Sequence, residues 1–71
     1  MSRETTEFVI YIINEIAVAR GQYPSVVYKT LEKAECIKDY LVPYYDVLHT
    51  MSSQNIVKDV LNYMKMKNVT L

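Results

Sequence analysis

Residues 7–21, Glu7-Phe8-Val9-Ile10-Tyr11-Ile12-Ile13-Asn14-Glu15-Ile16-Ala17-Val18-Ala19-Arg20-Gly21, decide the fold. Taken alone, the run 8–13 passes for a buried strand. Length argues otherwise, because Glu15-Ile16-Ala17-Val18-Ala19-Arg20 continues the segment without a break and Gly21 then supplies a helix stop. The reading is a helix over about residues 6–20, capped by Thr5 or Thr6, with Glu7 near its positive end and Arg20 near its negative end. Its apolar side chains cover most of its circumference. Such a helix is the central one of a bundle or is covered on two sides.

Outward from this segment the chain stays helical, and with one glycine and two prolines its connections must be short. Pro24 suits a first turn and opens a second helix over about residues 24–34. Val27, Leu31 and Ala34 form its inner stripe, with Lys29, Glu32, Lys33 and Glu35 facing water. A third element spans residues 37–50, where Ile37, Leu41, Tyr44, Tyr45 and Leu48 recur at helical spacing. Pro43 interrupts it, which predicts a short turn over 37–41 and a helix entered near Pro43. Ser52 or Ser53 caps a fourth helix over about residues 53–67, with Ile56, Val57, Val60, Leu61 and Met64 on one face. The expected fold is a single all-α domain over residues 1–71, a small four-helix orthogonal bundle with a helix-turn-helix-like corner at Gly21.

Size and composition narrow the function. A chain of 71 residues leaves little stability margin, and small domains usually gain support from disulfides, a metal or a partner chain. Cys36 is the sole cysteine and His49 the sole histidine, so no disulfide within the chain and no cysteine-rich metal site is expected, and no cofactor. Association with another chain is what remains, and 51% hydrophobic residues point the same way, towards a homo-oligomer. Eight basic and eight acidic side chains cancel, leaving no basic field for a row of phosphates. The longest apolar run is far short of the roughly 20 residues a membrane span requires. The polar start Met1-Ser2-Arg3-Glu4 does not resemble a signal peptide, and with one free thiol this suggests a cytoplasmic protein.

Three constellations carry possible chemistry. Ala17, Gly21 and Val27 fall at the small, turn and buried positions of a helix-turn-helix, which would offer Ser25, Val26, Tyr28 and Lys29 to a DNA groove. Any tight corner between helices selects the same three residues for packing, and with a neutral surface the packing corner is the preferred reading. Cys36 and His49 are the one pair with nucleophile and base potential, but catalysis also needs an orienting group, an oxyanion site and a cleft. Asp46 and His49, three apart on one helix, suit a structural hydrogen bond. Seven tyrosines are the third feature. Tyrosine suits both a protein interface and the rim of a small core. Tyr11, Tyr28, Tyr40 and Tyr44, with the apolar Val26, are the candidate interface.

The segment Tyr45-Asp46-Val47-Leu48-His49-Thr50-Met51, followed by Ile56-Val57-Lys58-Asp59-Val60, resembles a family of short bacterial proteins, the domain-of-unknown-function family numbered 3791. The opening residues 7–15 and the turn before Val27-Tyr28 fit the same family, so the resemblance covers nearly the whole chain. It implies a small helical bacterial protein, often encoded beside a protein similar to ADP-ribosyltransferases, and by analogy an antitoxin or accessory partner. Two positions depart from the pattern. Tyr23 replaces a polar helix cap, and Val26 replaces an acidic residue, which leaves Val26 exposed unless something covers it. The functional expectation is a non-catalytic protein-binding module, antitoxin-like, whose partner is a toxin-like enzyme; the alternative is a helix-turn-helix DNA-binding regulator.

Overall fold

Ser2 caps the first helix, three or four residues earlier than the expected Thr5 or Thr6. Its backbone is extended, its Oγ accepts from the Thr5 N–H at 3.1 Å, and it shares a 2.8 Å hydrogen bond with Thr5 Oγ1. Ser2 therefore satisfies an orphan donor of the first turn, and Thr5 is buried inside the helix instead of capping it. In this computed structural model, which describes residues 1–71, the helices are α1 (Arg3–Arg20), α2 (Pro24–Lys33), a π-helical turn (Ile37–Leu41), the single turn α3 (Tyr45–Leu48) and α4 (Ser53–Met66). The protein is an all-α bundle without strands.

α1 is central. It packs against α2 and α4, burying Val9, Ile12, Ile13, Ile16 and Ala17. From α2 come Val27 and Leu31, from α4 Ile56, Val60 and Met64, and Ala34, Cys36, Leu41 and Leu48 close the core between them. Each fully buried isoleucine or leucine contributes about 1.5–3 kcal/mol relative to exposure. The expectation that α1 is covered on two sides holds, and its third side is open: Tyr11 is 50% and Val18 81% exposed. At the far end, Leu71 is buried and its carbonyl accepts from Arg20 Nη2 at 2.9 Å, which ties residues 69–71 back to the end of α1.

The Gly21 corner forms as expected. Gly21 is left-handed (φ 62°), and the Gln22 N–H bonds the Ala17 carbonyl at 3.0 Å, the 6→1 bond that closes a helix. Ala17 and Val27 are buried at the corner. Tyr23 makes no side-chain cap for α2, as its replacement of a polar residue implies.

The third element differs from its expectation. The turn over 37–41 is π-helical, with the Val42 N–H reaching the Ile37 carbonyl at 3.0 Å. Pro43 explains it: a proline ring strikes the carbonyl four residues back in a regular helix, here that of Asp39, and widening the turn relieves the clash. The helix that follows is one turn long, from Tyr45 to Leu48, and not a full helix beginning near Pro43. α4 matches its predicted span within a residue, capped by Ser52 through the Asn55 N–H at 3.3 Å.

Two non-glycine residues are left-handed, and each lies just past a helix. Asn68 (φ 59°) follows α4, where the Val69 N–H bonds the Met64 carbonyl at 2.9 Å. Glu35 (φ 59°) follows α2 and starts the passage into the π turn. Asparagine tolerates this region; a glutamate there costs roughly 1–2 kcal/mol. Glu35→Gly is therefore expected to raise unfolding stability by about 1 kcal/mol, while Gly21→Ala lowers it by a similar amount although nothing lies within 4 Å of the added methyl. Chemical denaturation of both variants checks this pair of signs; a destabilised Glu35→Gly would show that this conformation is not strained.

Candidate functional site

Apolar side chains that the core does not cover converge beside α1. Ile10 is 53% exposed and Tyr28 46%, and with Met1 they border a groove of about 640 Å³. Val9 and Ile13 of α1, Ile37 of the π turn and Val42 just past it form its floor, with Thr6, Glu32, Glu35 and Lys38 at the rim. Its volume lies within the roughly 300–1,000 Å³ of pockets that bury a ligand. The local sequence explains the geometry. Residues 9, 10 and 13 share the edge of α1 that turns from α2 towards solvent, so that edge is apolar inside and out. The left-handed Glu35 then swings the chain away from α2, and the π turn brings Ile37 and Val42 back alongside α1.

The charges at the rim are not equivalent. Lys38 Nζ lies 2.9 Å from Glu35 Oε2, and this pairing, first by hydrogen bond and then by charge, holds the Glu35 carboxyl below and the Lys38 ammonium above their ordinary pKa values. Glu32 has no such cation: the salt bridges of the protein are Lys38–Glu35 and Arg3–Glu7. Glu32 instead raises the pKa of the Tyr28 phenol beside it, through hydrogen bonding first and negative charge second. The groove thus has an apolar floor, an uncharged edge on α1 and an acidic edge on α2. It can take apolar side chains and orient them by charge.

The candidate interface residues do not share one surface. Tyr28 borders the groove. Tyr11 stands on the open side of α1 and donates to Glu15 Oε1 at 3.3 Å. Val26 is exposed, two residues before Tyr28 and so on another flank of α2. Tyr40 and Tyr44 are neighbours (ring centroids 5.9 Å apart), and Tyr40, half-buried, stacks on Tyr63 of α4 at 5.4 Å. Tyr40 therefore belongs to the rim of the core. On the face that α2 would offer to DNA, Lys29 and Lys33 are exposed together with Glu32.

The expected hydrogen bond between Asp46 and His49 does not form. Both side chains are exposed, and the His49 ring stacks on Tyr45, 4.7 Å between centroids and 18° from parallel. Tyr45 in turn receives Phe8 edge-on at 5.3 Å. The aromatic ring one turn back is the better neighbour for an imidazole at a helix end, and Asp46 keeps its hydration. Cys36 is fully buried in the core, and desolvation pushes its thiol up to about 12. No three His, Cys, Asp or Glu side chains come together to hold a metal ion, and no helix is long and apolar enough to cross a membrane.

Of the residues that line the groove, only Tyr28 belongs to the candidate interface expected from the sequence; Ile10, Ile37, Val42 and Glu32 do not. Ile10 sits in a run where every residue looks like core, and only the packing shows which edge is left over. Glu32 read as an ordinary solvated charge.

The burial of Cys36 has a measurable consequence. At pH 8 a thiol with a pKa of about 12 is ionised in about one molecule in ten thousand, against about a quarter for an unfolded cysteine. Native protein is expected to react with a disulfide reagent only on unfolding, with a rate that rises steeply in denaturant. Rapid stoichiometric labelling of Cys36 in the native state contradicts its place in the core.

No curated protein and no solved structure matches the chain. The family model described as "Protein of unknown function (DUF3791)" matches residues 7–67, which span α1 from Glu7 onward, α2, the π turn, α3 and α4. The resemblance at residues 45–51 and 56–60 thus extends over most of the chain, which belongs to the DUF3791 family.

Proposed function

We propose that this protein is a non-catalytic protein-binding module that receives an apolar helix of its partner in the groove between α1, α2 and the π turn. The observation that carries the reading is Ile10. An isoleucine half exposed beside the apolar floor of Val9, Ile13 and Ile37 gains nothing from water and buries readily under a partner. The fold favours a helical occupant. An all-α protein has no sheet edge to which an extended peptide can add, and a proline-rich ligand wants an aromatic-lined groove, whereas Tyr28 is the one aromatic here. A helix laid along two helical walls can place residues of i, i+3, i+4 and i+7 spacing over the floor.

For the partner itself, the family resemblance supports a toxin-like enzyme similar to ADP-ribosyltransferases, with this chain as its antitoxin-like or accessory subunit. The reading is tested by co-purifying the chain with the ADP-ribosyltransferase-like neighbour that the resemblance implies. Ile10→Asp is expected to weaken the complex tenfold or more while leaving the fold intact, because Ile10 is half exposed and its loss leaves no cavity. Met66→Asp, at a residue 84% exposed on α4, is the control and is expected to change nothing. Failure to form a complex contradicts the choice of partner. A complex indifferent to Ile10→Asp contradicts the groove.

A further inference from the structure

Covering the groove also covers its acidic edge. Glu35 already has its counter-charge, since Lys38 lies 2.9 Å away, and Glu7 on α1 has Arg3 at 3.0 Å. Glu32 has none, and it lines the groove next to the Tyr28 phenol. In the free protein water and the neighbouring Tyr28 hydroxyl solvate this carboxylate, and neither supplies a positive charge. A partner surface that displaces the water without replacing it imposes a desolvation cost, and an acidic or apolar residue there is selected against. The opposite edge, with Thr6, Ile10 and Met1, holds no carboxylate. The groove is therefore asymmetric in charge, and a helix lying in it is read in one orientation and with one kind of flank.

We propose that the occupant is an amphipathic helix of another protein whose apolar stripe is bordered, on the side facing α2, by a lysine or arginine that pairs with Glu32. This rests on the reading of the chain as a protein-binding module and specifies the chemistry of its partner. Glu32 supplies the charge, Tyr28 a neutral hydroxyl able to donate or accept beside it, and Ile10, Ile13 and Ile37 the apolar floor. Discrimination comes mainly from rejecting helices with an acidic flank, and the attraction itself is that of a pair at an interface rim.

Two synthetic amphipathic helices test the inference, with identical leucine stripes and either lysines or glutamates along one flank, titrated into methyl-labelled protein. The methyl resonances of Ile10, Ile13 and Ile37 are expected to shift with the lysine-flanked peptide, which binds about three- to fivefold more tightly than the glutamate-flanked one at low salt. Glu32→Gln is expected to erase most of that difference, and raised salt to shrink it. Equal affinity of the two peptides for the unmodified protein overturns the role of Glu32 and leaves the groove standing. If neither peptide shifts these methyls, both the inference and the groove reading fall. Shifts of the same methyls on concentrating the protein alone place a second copy in the groove and overturn the inference in that way.

Discussion

The burial of one stripe of α1 between α2 and α4 is the constraint on which the rest depends. Val9, Ile12, Ile13, Ile16 and Ala17 face inward together, and Val27, Leu31, Ile56, Val60 and Met64 have no other surface to pack on. With no disulfide and no metal cluster to brace it, this contact holds the chain together. It also fixes what is left over. A helix apolar around most of its circumference, covered on two sides by shorter neighbours, must leave apolar residues outside, and Ile10, Tyr11 and Val18 are those residues. The candidate site is in this sense a by-product of the same composition that builds the core.

Much of this architecture was legible in the sequence, for reasons tied to particular residues. The 3.6-residue recurrence of Ile56, Val60 and Met64, the Pro24 start and the Gly21 stop each have one dominant physical reading, and the structure agrees with each. Beginnings were harder. Ser2, Thr5 and Thr6 are all competent caps, and only the folded geometry shows that Ser2 accepts the Thr5 N–H while Thr5 turns inward. The π turn and the left-handed Glu35 were not legible. Proline at 43 announces a disturbance, but whether the chain kinks, stops or widens depends on what packs against Leu41 and Ile37. Nothing about a glutamate signals positive φ.

The site was less legible than the fold. Tyrosine enrichment drew attention to side chains that the structure distributes over different faces, with Tyr40 stacked on Tyr63 and Tyr28 alone at the groove. An aromatic count measures the capacity to form an interface; it does not locate one. The Asp46 and His49 pair failed for a related reason: spacing on a helix permits a contact, and the neighbour at Tyr45 took the imidazole instead. What locates the groove is a combination of backbone features that a linear pattern does not express. The departure of the chain at Glu35 and the widened turn after it set Ile37 and Val42 beside Ile10. The strained residue and the π turn border the same groove, a coincidence in keeping with the tendency of such features to gather at binding surfaces.

The proposed seat of a partner is this groove, and not the aromatic face of Tyr40, Tyr44 and Tyr63 or the surface around the exposed Met66 of α4. Cross-saturation from a protonated ADP-ribosyltransferase-like partner into the methyl-labelled, otherwise deuterated chain measures this directly, because signal is lost only at methyls within the interface. The largest losses are expected at Ile10, Ile13 and Ile37, with Val47 and Met66, both largely exposed outside the groove, unaffected. Losses centred on Val47 and Met66, with the Ile10 and Ile37 signals intact, would contradict it.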